Sequence, residues 1–407
     1  MFPVQETFTK EFFEKIFKKQ IKDFAKVLNV NVTDIFEIGE SFTSELLKIL
    51  VTYSTTDRDN RKNLSVVVKF LKDTEEVVAI SKDLKLYREF DFFEEILPLI
   101  TEMDKPTLNE TKFLDLKQKF APRVYFVSKV PKSMLIMEDM SVAGYKMQNR
   151  HDGLDLKHCL MVMEKLAYFH AASAVLYEKN PEIMAEFKTG TFNDNGTMKN
   201  VLFLTYPELM KVLSKIPGLQ SYSDKMPIVE EIYKKITSAA KPSDTFNVLN
   251  HGDLWCNNIL FQYQENEEVS DVVFIDYQLS CFGSPFIDLH YFFSSSIKSQ
   301  NKVDTINTLL NHYIGELLSN LKKFNINKSP TREGLLKDFY ERAIIGLGTM
   351  CIATPIFKAQ KEKDATLENF LGEGVENHFR HNCFNNPEYL KSAPQLLPFY
   401  NSLGVFD

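Results

Sequence analysis

The stretch VLNHGDLWCNNILF, residues 248–261, places His251, Asp253, Asn257 and Asn258 between two apolar runs. A chain that interrupts a buried strand-like run with charged and amide side chains and then resumes it has made either a polar turn or a loop that carries chemistry. Downstream, VVFIDYQLSCFGSPFIDL repeats the arrangement: a β-branched run ends in Asp276, and a second carboxylate, Asp288, follows twelve residues later. The flanking runs read as short strands, with Asp276 projecting at the edge of the sheet.

Outward from this motif the chain changes character near residue 140. Upstream, EIGESFTSELLKILVTYS, NLSVVVKFLK, RVYFVSKV and SMLIMEDM are rich in β-branched and aromatic residues and bounded by polar turns, as strands are. Between them SKDLKLYREFDFFEEIL carries Leu86, Phe90, Phe93 and Leu97 at helical spacing, with Pro98 marking the expected end. Downstream, helical patterns dominate: residues 155–179, 226–240, 303–324 and 334–351, the last read as a single helix. The expected architecture is α+β and bilobal, with a small antiparallel-sheet lobe over residues 1–139 and a larger, mainly helical lobe over 140–407. No internal repeat or low-complexity segment interrupts it.

Composition limits the function classes. A chain of 407 residues suggests two lobes or domains, and 44% hydrophobic with 25% charged residues is ordinary for a globular protein. The net charge of −7 is spread without a basic block, which disfavours nucleic acid as a partner. Five cysteines without a C-x-x-C pair suit free thiols in a reducing compartment. The charge-peppered start has no apolar signal-peptide core, and no later run of about 18 apolar residues reads as a membrane span. A cytoplasmic location is the expectation. Oligomeric state is not written in the pattern.

His251, Asp253, Leu254 and Asn258 fit the kinase catalytic-loop pattern H-x-D-L-x-x-x-N, with Gly252 where protein kinases carry Arg. Four fixed residues arise by chance on the order of once in several hundred chains of this length. The spacing has a chemical reason. The Asp orients or accepts the proton of an attacking hydroxyl, and an Asn five residues on supplies a neutral oxygen to Mg²⁺. A second carboxylate should then come from a neighbouring strand, and Asp276 supplies it. Asp288 either braces the loop backbone or caps the following helix. Lys69, inside the apolar run VVVKF, needs a carboxylate or phosphate partner unless it snorkels to water. Glu89 and Glu94 flank the apolar stripe on opposite sides, so periodicity alone leaves the lysine's partner open between them. His170, in LAYFHAASAVL, reads as a hydrogen-bonded core histidine.

The combination HGDLWCNN, IDYQLSCFGSPFIDL, LAYFHAASAVL and LIMEDMSVAGY resembles the ecdysteroid kinase-like family of arthropod small-molecule kinases, related more distantly to choline kinases and aminoglycoside phosphotransferases. The resemblance runs from about residue 35 to about residue 385. It implies a protein-kinase-like fold, ATP with Mg²⁺, and a small hydroxylated acceptor such as an ecdysteroid or xenobiotic. It implies Asp253 as catalytic base, Asn258 and Asp276 as metal ligands, Lys69 on the α/β-phosphates and Glu89 as that lysine's partner. The phosphate-covering loop departs from G-x-G-x-x-G, with Gly39 alone, so the hydroxyls of Ser41, Thr43 or Ser44 would have to assist. The backbone from Glu138 to Met140 is either the adenine contact or an ordinary strand end. Only eleven residues lie between Asp276 and Asp288, with no A-P-E sequence, which disfavours protein substrates. A choline-type kinase is the runner-up, and a catalytically silent ligand-binding relative is the alternative from another class.

Overall fold

The computed structural model describes residues 4–34, 43–57, 60–103, 119–129, 133–194, 196–298, 300–360, 364–372 and 378–407. The first lobe is built on five strands, β1 (Phe24–Asp34), β2 (Ser44–Thr55), β3 (Arg61–Leu71), β4 (Val124–Ser128) and β5 (Met134–Glu138). They form one antiparallel sheet in the order β1-β2-β3-β5-β4. Period-two alternation decides what each face meets. Val66, Val68 and Phe70 of β3, with Leu47, Ile49, Val51 and Tyr53 of β2, are buried in a core of their own. Covering them is helix α1 (Lys10–Gln20), whose Phe13, Ile16 and Phe17 share one face and whose start is capped by Thr9 accepting from Phe12 N. The intervening residues, Val67 and Lys69 on β3 with Leu46 and Lys48 opposite them on β2, therefore face the other way. That side is the cleft between the lobes.

Helices α2 (Glu75–Leu84) and α3 (Arg88–Asp91) follow β3. One helix was expected from residue 81 to Pro98, and the structure corrects this at both ends. Lys85 adopts a left-handed conformation (φ 52°) that breaks the helix before Leu86. After Asp91 the chain widens into a π-helical turn, Phe92–Ile96, and then resumes as α4 (Leu97–Met103) with Pro98 inside it. The helical run continues through Leu97, whose N–H bonds back to the Phe92 carbonyl, so Pro98 does not end the rod.

A second, larger core fills the helical lobe and takes in Phe90, Phe92, Leu135 and Met137 of the first. At its centre lies α5 (Leu156–Lys179), packed against the helix Lys302–Lys323. By length and composition α5 could cross a membrane, but 78% of its most apolar window is buried inside the protein. Two small sheets complete the lobe. Strands β6 (Lys146–Met147), β8 (Ile259–Tyr263) and β9 (Val269–Phe274) form one, and β7 (Val248–Asn250) pairs with β10 (Cys281–Gly283) in the other. The run 334–351, expected as one helix, divides into Arg332–Glu341 and Ile344–Ile352, because the Arg342 N–H reaches back to several carbonyls and closes the first helix. All five cysteines are buried and free.

Candidate active site

The opening motif folds as a loop between β7 and β8. Gly252 sits at φ +79°, and a Cβ there would lie 1.9 Å from the Leu279 carbonyl oxygen, so only glycine fits between loop and neighbouring turn. Asp288, wholly buried, accepts from the backbone N–H of His251 (2.7 Å) and of Gly252 (2.8 Å). It therefore braces the loop from the first turn of the helix Phe286–Ser295, here α6; the helix N-cap itself is Pro285. His170 stands behind it, as the buried hydrogen-bonded histidine expected, with Nε2 3.1 Å from Asp288 Oδ2 and Nδ1 2.6 Å from the Tyr313 hydroxyl. Burial holds His170 below its ordinary pKa despite the neighbouring Asp288. Burial likewise holds His251 below its ordinary value. Its Nδ1 accepts from Asp253 N (3.3 Å), which leaves Nε2 to donate to the Ile275 carbonyl (2.9 Å).

Both oxygens of Asp253 are held. The Tyr291 hydroxyl donates to Oδ1 at 2.6 Å, and Asn258 Nδ2 donates to Oδ2 at 2.9 Å and to the Asp253 carbonyl at 2.9 Å. Burial, reinforced by the charge of Asp276, pushes the Asp253 carboxyl up to about 7; the Tyr291 and Asn258 hydrogen bonds work the other way. With Nδ2 committed twice, Asn258 turns its amide oxygen to other use.

Asp276, two residues past β9, sits in the left-handed region (φ 68°), a conformation Asp tolerates better than most residues, and the short turn Tyr277–Leu279 follows it. Lys69 Nζ lies 2.6 Å from Asp276 and 2.6 Å from Glu89. Burial opposes the ammonium, but the two carboxylates outweigh it and hold Lys69 above its ordinary value. Glu89 is held above the usual carboxylate range by burial and by the second carboxylate, against the pull of Lys69. One cation thus serves two acids. Glu94, the alternative partner, lies out at the surface beside Lys129 (3.3 Å). Tyr277 N donates to the other oxygen of Glu89 (3.2 Å), and the Tyr277 ring stacks on Phe92 with centroids 3.8 Å apart.

Two cavities open on these residues. One, of about 360 Å³, lies under the first sheet, lined by Ser44, Val67, Lys69, Met137, Leu260 and the 138–141 backbone segment. The other, of about 500 Å³, lies toward the helical lobe and contains Asp253, Asn258, Trp255, Tyr291 and Phe357. They meet: Leu46, Met147, Ile275 and Asp276 line both. Of the remaining candidates, Thr43 lines the larger cavity and accepts from Gln278 Nε2 at 3.3 Å, whereas Gly39 and Ser41 lie outside the described residues. Glu138 binds Lys119 Nζ (2.6 Å) and Arg123 N (3.1 Å) through Oε2, and its own N–H donates to the Arg123 carbonyl (2.8 Å). Met140, also buried, accepts from Tyr145 N with its carbonyl.

Among the described residues no group of three or more His, Cys, Asp or Glu side chains is gathered to hold a metal alone. The donor set is instead one carboxylate, one amide oxygen and open cavity, which suits a hard divalent cation that takes its remaining oxygens from phosphate and water. Three residues here carried no sequence signal that was read: Tyr291, Tyr277 and Arg88. Arg88, buried, donates to the carbonyls of Thr189 and Ser280 and so ties the Glu89 helix to the segment after Asp276.

Sequence comparison decides the family: the profile of the ecdysteroid kinase-like family matches residues 38–326. The chain belongs to the ecdysteroid kinase-like family. Among curated proteins, this ecdysteroid kinase-like chain is similar to a 4-hydroxytryptamine kinase of Psilocybe cyanescens, 25% identical over 162 residues. That similarity covers 40% of this chain and 41% of the relative, less than half the relative's own length. Among solved structures it is similar to a Plasmodium vivax ethanolamine kinase, at 14% identity and a TM-score of 0.47, covering 97% of this chain and 89% of that one. It is also similar to a glucosamine kinase in complex with glucosamine, ADP and inorganic phosphate, at 12% identity and a TM-score of 0.36, covering 73% and 75%. The two-lobed α+β arrangement expected of the family is the one observed.

Proposed function

We propose that this chain is a small-molecule kinase that transfers the γ-phosphoryl group of ATP to a hydroxyl of a small, largely apolar acceptor, with an ecdysteroid or a hydroxylated xenobiotic as the finer reading. The observation that carries this is the junction of two cavities at Asp276, with Lys69 on one side and Asp253 on the other. A donor nucleotide and an acceptor alcohol placed in them meet where the reactive groups are.

In this reading residues 1–139 hold the nucleotide and 140–407 supply the catalytic loop and the acceptor. Adenine lies between Val67 and Leu260 against the backbone of Glu138 to Met140. Ser44 and Thr43 stand at the phosphate end. Lys69, kept charged and oriented by Glu89, binds the α/β-phosphates and gives up its direct contact with Asp276 to do so. Asn258 and Asp276 hold Mg²⁺, which when bound neutralises charge on the phosphate oxygens. Asp253 takes the acceptor's hydroxyl proton as its oxygen bonds to the γ-phosphorus and ADP leaves. Tyr291 and Asn258 fix the carboxylate so that little is lost in orienting it.

The test is incubation with ATP and Mg²⁺ against panels of hydroxylated steroids, polyphenols, choline-like amines and aminoglycosides, read by mass spectrometry for a phosphate ester. An ester with an apolar alcohol is the expected result. Exclusive turnover of choline-like amines overturns the apolar acceptor, and the lack of both an ester and ATP binding overturns the kinase.

A further inference from the structure

The larger cavity has an organised aromatic wall. Trp255, the one tryptophan of the chain, lies two residues past Asp253 in the catalytic loop. Its indole stacks on Phe357 with centroids 3.7 Å apart and planes 6° from parallel. Phe357 in turn meets Tyr291 edge-on at 6.0 Å, and Tyr291 holds Asp253 Oδ1. Three rings therefore run from the cavity wall to the candidate base. The stack is pinned from outside. Arg150 donates to the carbonyls of Ile356 and Phe357, and Lys358 Nζ donates back to the Arg150 carbonyl. Lys358 is 3% exposed and Arg150 half-buried, and together they tie the Phe357 backbone in place.

We propose that Trp255 and Phe357 form the acceptor platform and that the acceptor is a planar aromatic alcohol, its ring set against this wall and its ring hydroxyl delivered to Asp253. Phe357 covers one face of the indole, while Trp255 remains only partly buried and lines the cavity, so a ring can reach it. Offset and edge contacts between aromatic rings are favoured over contacts with saturated rings of the same area because the quadrupoles align. A pre-stacked platform also loses little side-chain freedom when the ligand arrives. The proposal rests on the kinase reading above and narrows its acceptor from apolar alcohols in general to flat aromatic ones.

The experiment uses a matched pair of alcohols with one carbon skeleton, 2-naphthol and decahydro-2-naphthol, measured with the full chain, ATP and Mg²⁺. Wild type should prefer 2-naphthol. Trp255→Leu should lower kcat/KM for 2-naphthol roughly tenfold, mainly through KM, with the saturated alcohol changed about twofold or less. The KM for ATP should not move, and Trp255→Phe should restore most of the loss, which a folding defect would not allow. Preference of the wild type for the saturated alcohol, or equal losses for both alcohols in Trp255→Leu, overturns the aromatic platform. So does phosphorylation of neither alcohol by a protein that turns over another acceptor. Absence of ATP binding in wild type overturns instead the kinase reading beneath it.

Discussion

Asp253 accepts two side-chain hydrogen bonds, and of the two donors only Asn258 belongs to the sequence motif. Tyr291 comes from a helix 38 residues downstream. Asp253→Asn keeps the shape but removes the base, so ATP binding should survive while kcat falls ~10²-fold or more. Tyr291→Phe removes one hydrogen bond to a charged oxygen, worth roughly 1.5–3 kcal/mol, so kcat should fall about 10- to 100-fold with the KM for ATP unchanged. If Tyr291 acts through Asp253, the second substitution adds little once Asp253 is Asn. A double variant whose losses multiply would show that Tyr291 acts elsewhere. The motif spacing was legible because it reports a local loop. Tyr291 was not, since SPFIDLHYFFS reads as an apolar helix and nothing in it says which face meets the loop. Gly252, noted as a departure from the protein-kinase pattern, turns out to be demanded by the Leu279 carbonyl.

At the scale of elements, α6 supports the catalytic loop at two points three residues apart, Asp288 on the loop N–H groups and Tyr291 on the base. Residues at this spacing share a helical face, so one helix sets the height of the whole loop. Asp288→Ala would strand two buried N–H groups at about 1–3 kcal/mol each. The denaturation midpoint should drop clearly, and Asp288→Asn, which can replace one acceptor but not both, should fall between. An unchanged midpoint in Asp288→Ala would mean the carboxylate is no brace. Sequence periodicity had left Glu89 and Glu94 equivalent. The break at Lys85 and the π turn at Phe92–Ile96 reset the phase of the helix, and that phase turns Glu89 to Lys69 and Glu94 to water.

At the scale of the molecule, Lys69 of β3 and Asp276, just past β9, form an ion pair across the cleft. Asp276→Ala leaves that lysine with Glu89 alone and removes a metal donor, so turnover should fall by ~10²-fold or more and should not recover at high Mg²⁺; near-normal turnover there would sink the metal assignment. A second buried lysine tests the packing of the helical lobe. Lys302, wholly buried at the start of its helix, has no hydrogen-bond partner for Nζ among the described residues. Burial, with the Lys358 ammonium nearby, pulls its pKa down to about 7, against roughly 10.4 in the unfolded chain. Between those values the unfolded chain binds more protons, so the lysine's burden on stability is full below about pH 7 and relaxes as pH rises. Lys302→Met should therefore stabilise the protein most near pH 6, with the gain shrinking toward pH 10 in denaturant titrations; a gain independent of pH would show that Lys302 is charged in both states. The sequence by itself determined the two-lobed order of strands then helices, the His251–Asn258 loop and the strand-end Asp276, because alternation, helical spacing and turn chemistry act between near neighbours. Among the elements it left unread are β1, α1, the short strands β6 and β10, and the helices Thr197–Leu213 and Pro387–Ser402. Only the tertiary structure decided that Asp288 braces and does not cap, that Tyr291 holds the base, and that two cavities meet at Asp276. Each of these depends on how distant elements are rotated and spaced against one another by the packing of buried side chains, and no local pattern encodes that.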